Sequence, residues 1–315
     1  MQTPSWLYGL QDYLEFTGDN DAKFFVDQLL SVHFSENKNN SVKNLCLSDE
    51  GDTEEKLSRF NFYFKLLEDN DIDFVETVSV MRKRLPNSPI LDIFHKYGRK
   101  DYDMNQLADA FSRGQVKSKI WMVSELAKIQ KDFDMIHVHA GWFGQSRLYF
   151  DAASINYNKI RILETDSTAA EVSDYIFNLD LIQDYRIKSA EARLPLRNDD
   201  EETKDMKWVT RTGIEYIVKN YKNKTEYIEK TMPNLVINTS AEHMSSVWYH
   251  KFINRPMETD PLFIIQTNNL FDIPEHQLCV HSIDHMLKKF PMERIEFAGE
   301  LQLQGYKRFM LIGRP

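Results

Sequence analysis

The sequence predicts an α/β protein: a mostly parallel sheet covered by helices on both faces, carrying a mainly helical N-terminal domain. Three observations predict it. From residue 104 onward, short apolar runs rich in strand formers alternate with stretches of helical periodicity. One run, Met135 to Val138, breaks at Gly141 with a second glycine at Gly144, the strand–turn–helix order by which a sheet brings backbone N–H groups to a ligand. Residues 1–103, in contrast, show helical periodicity and little else.

Within 1–103, residues 23–34 read as an amphipathic helix and residues 35–41 as a polar loop. Residues 53–67 read as a second helix, with Thr53 as a possible cap and acids in its first turn. Residues 71–80 fit strand and helix equally, before Pro86 and Pro89 punctuate the chain. The second domain, 104–315, opens with a short helix at 105–111 and another running through residue 129. A strand at 134–140 follows, then a helix after Gln145, a strand at 159–166 and a helix at 168–177. Arg186 to Ala190 is a possible strand, 198–203 an acidic loop and 212–220 a helix. Strands at 235–240 and 261–269, a helix at 283–289, and strands at 295–301 and 306–313 complete the order. The last two strands are too close for a helical crossover and are therefore expected to be antiparallel.

Net charge of −9 disfavours broad binding to nucleic-acid phosphates, which needs a basic surface. Cys46 and Cys279 stand far apart, without metal-ligand spacing, which fits a reducing compartment. No run approaches membrane-spanning length and the N-terminus lacks a signal-peptide plan, so a cytoplasmic location is expected.

In an open α/β sheet, ligands bind at the carboxyl ends of the strands, beside the point where strand order reverses. That edge collects the Gly141–Gly144 turn, then Glu164 and Asp166 about 20 residues on, where a ribose-binding acid usually stands. It also collects Asn238, Thr239, Ser240, Glu242 and His243. The adenosine part of a cofactor is the natural guest. Neither a three-glycine dinucleotide pattern nor a Walker lysine motif is present.

The segments Gly114-Gln-Val-Lys-Ser-Lys-Ile-Trp121, Gly141-Trp-Phe-Gly144 and Asn238-Thr-Ser-Ala-Glu-His-Met244 resemble a group of class I S-adenosylmethionine-dependent methyltransferase-like proteins. Residues 266–271 and 308–313 resemble them too, and members are mostly encoded by tailed phages and some bacteria. The likeness spans about residues 104–313. It implies a Rossmann-like domain, S-adenosylmethionine as cofactor, and methyl transfer to an acceptor. His139 and Ala140 stand where that group's loop has an acid and a glycine, and Glu164 replaces its usual aspartate.

On this reading Gly141, Trp142 and Gly144 approach the cofactor, Glu164 and Asp166 take the ribose, and Asp205 lies near the adenine. Gln115 and Lys119 fold back over the cofactor, with Lys119 meeting its carboxylate; a solvated helix face is the plain alternative. Trp121 and Trp142 also read as core aromatics. Asn238, Glu242 and His243 orient the acceptor, and His243 can take its proton because imidazole titrates near neutrality. Ser240 reads equally as a helix cap. No metal site is expected: His281 and His285 read as surface residues at i, i+4 spacing, and His137 and His139 as packing. The expected acceptor is a small molecule or a protein. Two other outcomes remain open: a binding or assembly protein that kept the fold without the chemistry, and an enzyme that cleaves S-adenosylmethionine.

Overall fold

The structure is a computed structural model that describes residues 5–34, 104–139, 145–164, 187–191, 209–210, 213–220, 225–244 and 258–315. It also describes short pieces at 77–78, 81–83, 85, 87–88, 90–91, 169, 246, 249–250 and 253. The chain divides into two compact units, Met1–Lys117 and Ser118–Pro315.

The described parts of the first unit are helical. α1 (Ser5–Thr17) and α2 (Asn20–Phe34) bury Leu7, Leu10, Leu14, Val26 and Leu29, which recur at helical spacing. Gly18, at φ 74°, turns the chain between them, and the Asp19 carboxylate accepts from the Ala22 N–H at 3.2 Å as an N-cap. Gly9 of α1 lies against the Phe111 carbonyl, where any side chain would collide with backbone. α3 (Met104–Ala110) follows, and α4 (Arg113–Ile129) starts in this unit. Of the expectations here, the second helix at 53–67 falls outside the described residues, as does the strand-or-helix segment except at 77–78.

The second unit is built on a seven-stranded sheet. Its strands are β1 (Asp132–His139), β2 (Asn156–Glu164), β3 (Ile187–Glu191), β7 (Leu235–Asn238), β8 (Leu262–Asn268), β9 (Arg294–Gln302) and β10 (Lys307–Arg314). They lie in the order β3-β2-β1-β7-β8-β10-β9. β1 pairs parallel with β2 on one side and β7 on the other, and β7 pairs parallel with β8. β10 runs antiparallel between β8 and β9. Strand order thus reverses between β1 and β7. α5 (Ser146–Ala152) joins β1 to β2, and α6 (Ile283–Lys289) lies between β8 and β9, capped by the Ser282 hydroxyl accepting from the His285 N–H at 3.2 Å.

Central strands covered on both faces should read as continuous apolar runs. β7 and β8 are buried at every residue, whereas edge strand β9 alternates between exposed and half-buried. One face is filled by Val236, Phe263, Ile265, Phe309 and Leu311 against Met286, Phe290 and Tyr249. Tyr249 makes edge-on contacts with Phe263 and Phe290 at 5.5 and 5.4 Å between ring centres. Trp121 packs edge-on against Phe297 of β9 at 5.8 Å, in line with its reading as a packing aromatic. This is a Rossmann-like, mostly parallel sheet with an antiparallel C-terminal strand.

One expected element is corrected. Where the sequence predicts a helix over 212–220, the described residues 213–220 form a strand, β5 (Gly213–Asn220). β5 pairs antiparallel with β6 (Thr225–Thr231) and with β4 (Val209–Thr210) in a separate three-stranded sheet inserted between β3 and β7. Ile214, Tyr216 and Val218 alternate at period two, and β6 supplies a partner that no local pattern reveals.

Candidate functional site

The carboxyl ends of parallel β1, β7 and β8 open on one edge of the sheet, and β10, being reversed, delivers its first residues there. Glu242, Asn268 and Arg308 meet at that edge through hydrogen bonds, and Lys119 lies close enough to feel the charges of Glu242 and Arg308; all four are buried. Lys119 is placed by its neighbour. The Ser118 hydroxyl donates to Gln266 Oε1 at 2.8 Å, and Gln266 Nε2 donates back to the Ser118 carbonyl at 3.1 Å, which pins this turn of α4 to β8.

β7 ends at Asn238, whose Oδ1 accepts from the Ser240 N–H at 3.0 Å, an Asx turn that swings the chain into a single 3-10 turn, Ala241–His243. Ser240 itself makes no side-chain cap. The Asn238 amide nitrogen points to the Met244 sulfur at 3.1 Å, so both ends of this side chain shape the loop. The turn carries Glu242 inward. Its Oε1 accepts from Arg308 Nη2 at 3.0 Å and from Asn268 Nδ2 at 2.9 Å, while Oε2 is buried without a hydrogen-bond partner among the described residues. Arg308 also donates from Nη1 to the Thr239 carbonyl at 2.7 Å. Asn268 is oriented in turn, its Oδ1 accepting from the Cys279 thiol at 3.2 Å and the Leu270 N–H at 2.9 Å.

One buried carboxylate is therefore paired with one guanidinium, and a second buried basic group, Lys119, lies within their electrostatic reach. Desolvation, with Arg308 adding to it and Glu242 opposing, lowers the Lys119 amine from 10.5 to about 7. Lys119 exchanges its proton near neutrality, an unusual property that suits either proton transfer or the uptake of an anionic group. Burial pushes the Cys279 thiol up to about 11, so it stays a hydrogen-bond donor. His243 lies at the exposed rim, edge-on to His276 at 4.5 Å between ring centres; desolvation lowers its pKa, with Glu242 pulling the other way. His137 and His139 are buried on β1, and burial lowers both, His139 to about 3. They are neutral packing groups, with His137 Nε2 2.7 Å from the Thr231 hydroxyl.

Of the residues singled out from sequence, Lys119, Asn238, Glu242 and His243 fall at this edge. Glu164 ends β2 and pairs through its backbone with Glu191; its side chain, like Gly141, Trp142, Gly144, Asp166 and Asp205, lies outside the described residues. Gln115 is half-buried in the first turn of α4, within the first compact unit. Sequence reasoning gave no role to Arg308, Asn268, His276 or Cys279. Asn268 was open to the same strand-end rule that selected Asn238. Gln145, next after Gly144 in the sequence, is buried with neither end of its amide hydrogen-bonded among the described residues.

No family model matches the sequence, and no curated protein matches it. Among solved structures, the chain overlays magnesium protoporphyrin IX methyltransferase (ChlM) from Synechocystis PCC 6803, solved with bound SAM. The identity is 10% and the TM-score 0.43, over 75% of this chain and 96% of that one. It overlays the N-methyltransferase NodS from Bradyrhizobium japonicum WM9 at 4% identity and TM-score 0.42, covering 63% and 94%. Spermidine synthase from Thermotoga maritima overlays at 13% identity and TM-score 0.36, covering 62% of this chain and 57% of that chain.

Proposed function

We propose that the chain is an S-adenosylmethionine-dependent methyltransferase whose acceptor is a small molecule or a protein. The observation that carries this reading is the buried Lys119–Glu242–Arg308 cluster, set at the carboxyl edge of a sheet whose strand order reverses between β1 and β7. That edge is where such sheets hold nucleotide-like ligands. One orphaned group fits a polar cofactor, and Glu242 Oε2 is left for the acceptor. The Gln145 amide, after β1 in the chain, is buried with its hydrogen-bonding capacity unmet among the described residues. A polar ligand satisfies that capacity. S-adenosylmethionine would supply a methyl group already activated on a sulfonium, so the protein's work is alignment and exclusion of water.

In this reading Lys119 meets the amino-acid carboxylate of the cofactor, and Glu164 and Asp166 take the ribose diol. Gln115, Gly141, Trp142, Gly144 and Asp205 complete the cofactor contacts. Glu242 offers Oε2 to the acceptor while Arg308 and Asn268 hold Oε1. His243, at the rim, receives the acceptor's proton, and Asn238 shapes the loop that presents both.

One observation favours a second reading, a binding protein without turnover. Asn238 and one oxygen of Glu242 are already engaged within the fold. Calorimetry with S-adenosylmethionine, followed by product analysis after incubation with labelled cofactor and cell extract, decides. Heat of binding with S-adenosylhomocysteine formed supports transfer, and methylthioadenosine indicates cleavage instead. Absence of any binding heat overturns the enzymatic reading.

A further inference from the structure

We propose that Glu242, His243 and His276 form a binding site for one divalent transition-metal ion of the zinc class. Among the described residues, one potential ligand atom from each lies within 4.8 Å of the others. Zinc bonded at about 2.0–2.1 Å in a tetrahedron holds its ligand atoms about 3.4 Å apart. Closing that difference takes side-chain rotations of two rim imidazoles, with the buried carboxylate staying in place.

Three features beyond proximity point to a ligand. Glu242 is 2% exposed, and its Oε2 is buried with no hydrogen-bond partner, an acceptor lacking its donor or cation. Its other oxygen is held by Arg308 and Asn268, and Asn268 is oriented by the Cys279 thiol, a chain of outer contacts of the kind that aims a ligating carboxylate. His276 Nδ1 lies 3.1 Å from the Leu270 carbonyl, which can only accept. That bond therefore puts the proton on Nδ1 and leaves the Nε2 lone pair for a metal, the arrangement found behind most ligating histidines.

The two ligand-bearing segments are also tied to each other. The Gln277 and Leu278 N–H groups both donate to the Glu242 carbonyl, at 2.7 and 3.2 Å, so His276 and Glu242 keep their spacing. Two imidazoles and one carboxylate suit zinc, cobalt or nickel over calcium or magnesium. Three protein ligands leave at least one position open at the rim; with the ion bound, a hydroxyl or carboxylate of a second molecule binds there, in place of direct contact with Glu242 Oε2 or His243. Arg308 opposes the ion's charge, which places the affinity below that of closed structural zinc sites.

The full chain, stripped with chelator and free of S-adenosylmethionine, is titrated with zinc chloride by calorimetry and with cobalt chloride by visible absorption. One ion per chain is expected, with cobalt d–d bands of a low-coordinate nitrogen–oxygen site. His243→Ala and His276→Ala, at the rim of the fold, should each weaken binding at least about tenfold. Glu242→Gln should do likewise if it folds. The double variant H281A/H285A removes the other adjacent histidine pair and should bind as the parent does. Absence of stoichiometric binding, indifference to His276→Ala, or loss through H281A/H285A would each overturn the proposal. Because no cofactor is present, the outcome is independent of whether methyl transfer occurs.

Discussion

Lys119→Met removes a buried amine at little change in volume, and the structure sets the expected response. In the native chain this amine titrates near 7, against 10.5 for an exposed lysine. Between those values the unfolded chain binds a proton that the folded chain has released, so stability rises with pH across that window. The penalty for burying the charge is fully present below about pH 7 and gone above about pH 10.5. Its full size is about 5 kcal/mol, since each tenfold loss of proton affinity on folding costs roughly 1.4 kcal/mol. Methionine carries no such penalty. The variant should therefore be the more stable protein at pH 6, and its advantage should shrink by about 2 kcal/mol between pH 7 and 9. Urea denaturation of both proteins across this range, followed by intrinsic fluorescence, measures the difference directly. Two stability curves that stay parallel from pH 6 to 9 would refute the reasoning, because Lys119 would then titrate as an exposed amine.

Two further outcomes follow from the same cluster. If the cofactor carboxylate pairs with Lys119, binding at pH 8 draws a proton onto the amine. The calorimetric heat should then differ between Tris and phosphate by their ionisation enthalpies, and equal heats would exclude that pairing. Arg308→Met leaves the buried Glu242 carboxylate without its guanidinium and should cost about 3–5 kcal/mol in urea denaturation, most of it recovered in the double variant Arg308→Met with Glu242→Leu. Additive losses in the double variant would show that the pair does not act as a unit.

The architecture was legible wherever apolar runs met a clear boundary. β7 and β8, and β1 from Met135 onward, declare themselves as continuous buried runs, and the short Leu303–Tyr306 link between β9 and β10 forces an antiparallel pair. β5 was not legible, because Gly213-Ile-Glu-Tyr-Ile-Val-Lys-Asn220 fits either period and only pairing with β6 decides. In the site, Glu242 could be picked out as a polar residue just past a strand end, but not its partner. Arg308 is at the start of a strand, and it reaches the carboxyl edge only because β10 is reversed. That relation is a matter of three-dimensional topology, at a sequence separation of 66. His276 was invisible for the same reason, since its link to the turn at Glu242 runs through backbone bonds from Gln277 and Leu278.

β10 lies between two strands made before it, and this orders the assembly of the molecule. Until β10 inserts, β8 presents seven apolar-to-polar residues with an unpaired edge, the kind of surface on which nascent chains associate wrongly. Its insertion is a pairing across large sequence distance and is therefore expected late in folding. The same event carries Arg308 to Glu242. Completion of the buried Glu242–Arg308 pair and protection from aggregation thus arrive in one step, and a chain arrested before that step would expose both defects at once.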